Sequence, residues 1–194
     1  RFKHVTGVQT CALPILLHYL GKIGIPVEIL EFPGKLSPQA MRVMRTHVEL
    51  TEKILGQDVE EKIKRIALRH HEKMDGSGYP EGISGKDLTM GERIVAVADI
   101  VSALAGTRSY KDAFPKERIL SIINKMKEDG LIDKDVVDKV TMDFDEIMEI
   151  TRNRCQPILD MYHRIQSEYL QIEGYMAGIS QAGISEDISE KGNG

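Results

Sequence analysis

Apolar positions along the chain recur mostly at helical spacing and show no convincing strand alternation, which predicts an all-α fold. Leu16 to Gly21 reads as the end of a helix, stopped by Gly21, Gly24 and Pro26. A loop carrying Phe32-Pro33-Gly34 follows. Ser37-Pro38 then offers an N-cap with proline at the first helical position, opening a helix to about Leu55. Asp58 is expected to cap the next helix, running to about Met74. Gly76, Gly78, Pro80, Gly82 and Gly85 make residues 75–89 a loop. Met90 to Ala105 is nearly all apolar and therefore predicts a central helix. Pro115 starts another, ending near Gly130. From Asp133 the pattern predicts one or two more helices, with a break near Pro157 and an end near Ile172. The tail 173–194 cannot bury a face and is expected to be mobile.

A length of 194 residues suits one domain with a core and an appendage. Trp is absent and aromatics are scarce, so that core must be aliphatic. The net charge of −4 excludes a non-specific binder of nucleic acid polymer but leaves room for a local basic pocket. The apolar run Ala12 to Leu17 is far too short to span a membrane and is broken by Pro14. Cys11 and Cys155 make neither a disulfide framework nor a metal knuckle, which points to a reducing, cytoplasmic compartment. The string VTGVQTCALPI, Val5 to Ile15, resembles a translated short-read sequencing adapter. Residues 1–15 are accordingly set aside as non-native, and neither His4 nor Cys11 is given a role.

Four histidines and one aspartate carry the candidate chemistry. His70 falls on the apolar stripe of Ile63, Ile66, Ala67 and Met74, with His71 at its edge. Asp99 stands amid IVAVADIVSAL, where a carboxylate needs a metal, an arginine or a charged histidine as partner. His47 lies near Val43, Met44 and Leu50, and His18 in the first helix fragment. Taken singly, each histidine reads as a satisfied structural residue. Five such groups from four helices favour a metal site, and imidazoles with a carboxylate but no thiolate suit iron, manganese, zinc or nickel.

The strings LLHYLGKIGIP (Leu16 to Pro26), HHEKMDGSGYP (His70 to Pro80) and RIVAVADIVSAL (Arg93 to Leu104) resemble the HD-GYP subgroup of the HD superfamily. The likeness covers residues 16–128, leaving 129–172 as a C-terminal helical extension. It implies an HD-type helical bundle around a buried site for two or three metals, usually iron or manganese. It also implies hydrolysis of the cyclic dinucleotide cyclic di-GMP and a sensor or signalling domain upstream. By position, the implied metal ligands are His18, His47, His70, His71 and Asp99. Lys22 is implied as the catalytic lysine facing the scissile phosphate, while Tyr79, Arg108 and Lys111 are implied to bind substrate. The implied chemistry is metal-assisted attack of water on phosphorus.

One departure matters. The aspartate of the family's His-Asp pair is Tyr19 here, and a phenol cannot offer two bridging carboxylate oxygens. Ser102, where many relatives carry a second aspartate, touches no expected ligand. The expectation is an impaired phosphodiesterase; the alternative is a degenerate module that binds nucleotide or protein without turnover. A different HD hydrolase acting on nucleotides or guanosine polyphosphates is disfavoured by Gly78-Tyr79-Pro80.

Overall fold

The computed structural model describes residues 17–106 and 113–190, apart from the side chains of 159 and 177–190. The described residues form seven α-helices and two short 3-10 turns; an isolated bridge between Asp75 and Ser84 is their only β pairing. They divide into a unit ending at Met142 and a second beginning at Asp143.

The first unit starts with a 3-10 turn, Leu20–Gly24, and a short helix α1, Val27–Leu30. Helix α2, Pro38–Leu55, begins as its sequence predicts: the Ser37 hydroxyl accepts from the Ala40 amide and Pro38 fills the first turn. Helix α3, Glu61–Leu68, turns Ile63, Ile66 and Ala67 inward. Helix α4, Met90–Ala105, is the central element and packs on α3, on α5 (Lys116–Glu128) and on α6 (Lys134–Met142). Val95 and Val97 of α4 meet a core completed by Ile119 and Ile123 of α5 and Val137 of α6, all fully buried. This core is aliphatic, as the composition requires.

Helix α3 ends sooner than its periodicity suggests. Glu60 rather than Asp58 occupies the N-cap, and the helix stops at Leu68 instead of reaching Met74. His70 and His71 therefore lie in a turn beyond the helix. Long-range bonds account for the early stop. The Met74 amide donates to the Leu131 carbonyl, and the buried Glu72 carboxylate accepts from the amides of Glu81, Gly82 and Ile83. Three backbone donors on one carboxylate bind the 75–89 loop to the residue after His71.

A second buried carboxylate, Glu92, ties α4 to α3. It closes a capping box with Thr89, accepting from both the Thr89 amide (2.6 Å) and hydroxyl (2.8 Å). Arg69 reaches it at 3.2 Å while holding both carboxylate oxygens of Glu81 at 2.8 Å; the more exposed Arg65 approaches at 3.3 Å. Burial pushes the Glu92 pKa upward, but the Thr89 donors and the two guanidiniums outweigh it and leave it below the ordinary 4.5. A depressed carboxylate pKa stabilises the fold above the unfolded value, and that stability is lost as pH falls through the lower folded value. Glu92→Gln is thus expected to cost about 1–3 kcal/mol at neutral pH. Urea unfolding checks this: the two proteins should differ at pH 7 and converge as pH falls below the depressed folded value.

The second unit is one helix, α7, Phe144–Glu190. It continues through Pro157, where the sequence suggests a break, and passes Ile172, where it suggests an end. Pro157 removes one amide donor without stopping the helix. Beyond Ile172 no proline follows, and each glycine costs only about 1 kcal/mol in a helix. The described side chains from Glu149 to Met176 are exposed on every side. Among the described residues no helix is long and apolar enough to cross a membrane.

Candidate metal centre

Three chain segments and the central helix bring the five predicted ligands together. The 3-10 turn places His18, and glycine allows the close approach this needs. A Cβ on Gly21 would stand 1.8 Å from the His47 carbonyl, so only glycine fits against α2 here. The Gly21 amide donates to the Thr51 hydroxyl at 2.9 Å, and that hydroxyl reaches back to the His18 carbonyl at 3.4 Å. Helix α2 supplies His47, the turn after α3 supplies His70 and His71, and α4 supplies Asp99.

The imidazoles are oriented by backbone. Nδ1 of His47 lies 2.7 Å from the Met44 carbonyl, and Nδ1 of His70 lies 2.7 Å from the Ala67 carbonyl. A carbonyl only accepts, so each Nδ1 must carry the proton and each Nε2 must present a lone pair. Those two Nε2 atoms face each other at 3.3 Å. Two neutral rings in these tautomers cannot bond to each other; a cation between them resolves the contact. A shared proton is disfavoured. Burial, followed by the charges of His71 and His18, lowers His70 to about 2, and burial lowers His71 to about 3. His47 is lowered too, chiefly by burial.

His18 gives an independent sign. It is fully buried; its Nε2 lies 3.2 Å from Oδ1 of Asp99, and its Nδ1 has no hydrogen-bond partner. Burial pushes Asp99 upward, but His18, His70 and His71 more than offset it and hold the carboxyl at about 2. The aspartate is therefore ionised. Two ligand groups result, His47–His70–His71 and His18–His70–Asp99, the candidate atoms of each lying within 4.8 Å of one another. His70 belongs to both. An orphaned buried nitrogen, opposed lone pairs and an ionised carboxylate fit a divalent metal.

Other candidate residues border these groups. The Tyr79 ring stacks on His71 with centroids 4.6 Å apart, and the Arg45 guanidinium lies 4.6 Å from the Tyr79 centroid. Burial raises the Tyr79 phenol well above its ordinary range, so it stays protonated. Gly78 sets this ring in place; a Cβ there would stand 2.5 Å from the Glu72 Cα. Lys22 holds its ammonium 3.8 Å from the Tyr19 centroid, and its charge depresses both His47 and His71. Tyr19 is 43% exposed and packs its ring 4.0 Å from that of His18. Arg108 and Lys111 lie outside the described residues.

Sequence reasoning missed the supporting carboxylates and Arg45. Thr89-x-x-Glu92 carries a capping-box signature that would have found Glu92. Glu72 sits inside the HHE string, but its loop partners are nine to eleven residues away and leave no local trace.

A helical bundle gathering imidazoles and one carboxylate at its centre is the architecture of an HD-type metal domain. The family model for the HD domain matches residues 5–136, and the chain belongs to that family. The match begins inside the stretch set aside as non-native and ends within α6. Among characterised proteins, the chain is 45% identical over 127 residues to 3'3'-cGAMP-specific phosphodiesterase 2 of Vibrio cholerae, covering 61% of this chain and 24% of that protein. It is 43% identical over 138 residues to the cyclic di-GMP phosphodiesterase response regulator RpfG of Xanthomonas campestris, covering 63% and 36%. It is 38% identical over 125 residues to a cyclic di-GMP phosphodiesterase of Thermotoga maritima, covering 63% and 33%. The chain therefore spans between about a quarter and a third of the length of these relatives.

Proposed function

We propose that the chain is the catalytic module of a metal-dependent phosphodiesterase acting on a cyclic dinucleotide, cyclic di-GMP first. The carrying observation is the opposed pair of Nε2 lone pairs of His47 and His70, beside an ionised Asp99 and the unpartnered Nδ1 of His18. His18, His47, His70, His71 and Asp99 would hold the metal; the thiolate-free set suits iron, manganese, zinc or nickel, and the resemblance to the HD-GYP subgroup favours iron or manganese. A bound metal would supply Lewis acidity and an activated water at neutral pH. The relatives' names support the substrate class.

The chain's own residues supply the rest. The Met44 and Ala67 carbonyls fix the tautomers, so the lone pairs point inward before anything binds. Lys22 brings positive charge to the site, suited to developing charge on a phosphoryl oxygen. The protonated Tyr79 donates to the ligand from its place on His71, and Arg108 and Lys111 bind its phosphates.

A second reading, a module that binds nucleotide without turnover, is favoured by Tyr19, which offers no carboxylate at the edge of the His18–Asp99 group. Incubating the purified chain with manganese or ferrous iron and cyclic di-GMP, with 3'3'-cGAMP in parallel, tests both. The expected result is slow conversion to the linear dinucleotide that stops on chelation and resumes when metal is returned. Metal-independent binding with no product under any metal would replace the first reading by the second.

A further inference from the structure

We propose that α7 pairs with the α7 of a second copy of this chain along an apolar stripe that recurs every eleven residues. Ile147, Ile158 and Tyr169 stand eleven apart, as do Ile150, Met161 and Ile172. The third series runs Arg154, Ile165 and Met176. Successive stripe positions are thus three, four and four residues apart. An eleven-residue repeat averages about 3.67 residues per turn, so the stripe stays on one side of a straight or slightly right-handed helix pair.

The face is open. Ile150, Ile158, Met161, Ile165, Ile172 and Met176 are each between 52% and 63% exposed. At roughly 100 Å² per side chain, the stripe with Tyr169 presents on the order of 700 Å², close to the ~800 Å² each partner gives to a stable interface. The opposite side carries Gln156, His163 and Ser167. An open apolar stripe of this length exceeds what a lone soluble helix leaves uncovered.

The occupant follows from the repeat itself. A patch that repeats with its own period is complementary to a second helix of the same period, and a twofold pair uses the same patch on both chains. The charges flanking it carry both signs, Glu168 and Glu173 with Arg164, which suits a helix of like composition rather than an anionic lipid surface. Arg154 is the polar member of the series, and a polar residue in a helix seam fixes register.

Sedimentation velocity on the full chain tests this. At roughly 50 µM the expected mass is twice that of one chain, dissociating on dilution as a micromolar pair does. Ile165→Asp with Ile172→Asp should weaken pairing at least tenfold, and Ser167→Asp on the opposite face should leave it unchanged. Ile165→Gln with Ile172→Gln, which keeps helix propensity, should weaken it likewise and so separates loss of the stripe from loss of the helix. A single-chain mass for the unaltered protein at that concentration overturns the proposal. So does a pair that survives both double substitutions.

Discussion

Replacing His70 with alanine is expected to empty both ligand groups at once, because its Nε2 is common to the two. Losing a ligand held by a backbone carbonyl should cost at least the ~100-fold in metal affinity that a lost outer partner can cost. The cleanest readout is thermal. A metal that binds only the folded chain adds RT ln(1 + [L]/Kd), about 2.7 kcal/mol at a hundredfold excess over Kd. Manganese should therefore raise the melting temperature of the unaltered protein and leave that of His70→Ala where it was. His71→Ala should show a partial effect, since His71 enters only the group with His47. An equal metal-induced rise in His70→Ala and the parent would show that the shared nitrogen holds no metal.

The second large effect runs in the opposite direction, as a gain. Tyr19→Asp should raise cyclic di-GMP turnover by about 100-fold or more. The substitution removes the ring that packs between His18 and Lys22 and adds a carboxylate beside the His18–His70–Asp99 group. Completing a two-metal clamp is worth several kcal/mol of transition-state stabilisation, and each ~1.4 kcal/mol is tenfold in rate. Stability should move far less than turnover, because Tyr19 is 43% exposed and the turn that carries it is seated on α2 through Gly21 and Thr51. Initial rates at saturating manganese, compared with urea midpoints for the same two proteins, separate chemistry from folding. Equal rates would assign the low turnover to something other than position 19.

Local chemistry made much of this molecule readable in advance. Ser37-Pro38 and the apolar run from Met90 to Ala105 each determine an element through neighbours in sequence, and both helices begin where those residues predict. His70 on its apolar stripe and Asp99 amid an apolar helix were legible for a different reason: burying an imidazole or a carboxylate is costly enough to demand a partner, whereas His18 and His47 gained their place chiefly from their number and the resemblance. What periodicity could not show was the release of His70 and His71 from α3. That stop depends on Leu131 and on residues 81–83, and contacts at such separations leave no mark on a helical pattern. The stripe of α7 was hidden by the assumption that Pro157 ends a helix, which divided its repeat in two. Arg45 gave no signal at all, since an arginine on a polar helix face reads as solvated until Tyr79 is placed beneath it.

The glycine contact that seats the first turn on α2 has a consequence for how such a site changes over time. The turn is held through the backbone of Gly21, the hydroxyl of Thr51 and the carbonyl of His18, and none of these bonds involves the side chain at position 19. Seating of the turn on α2 therefore does not run through that side chain, whereas on the proposed reading the hydrolytic step does. Codons for aspartate and tyrosine differ only in their first base, so one transversion exchanges a carboxylate for a phenol while the Gly21, Thr51 and His18 contacts need not change. Quality control in the cell degrades chains that fail to fold, and such a variant would pass it. A lineage carrying this change would keep its clustered imidazoles and Asp99 while the proposed hydrolytic step slowed, and selection could then act on recognition alone.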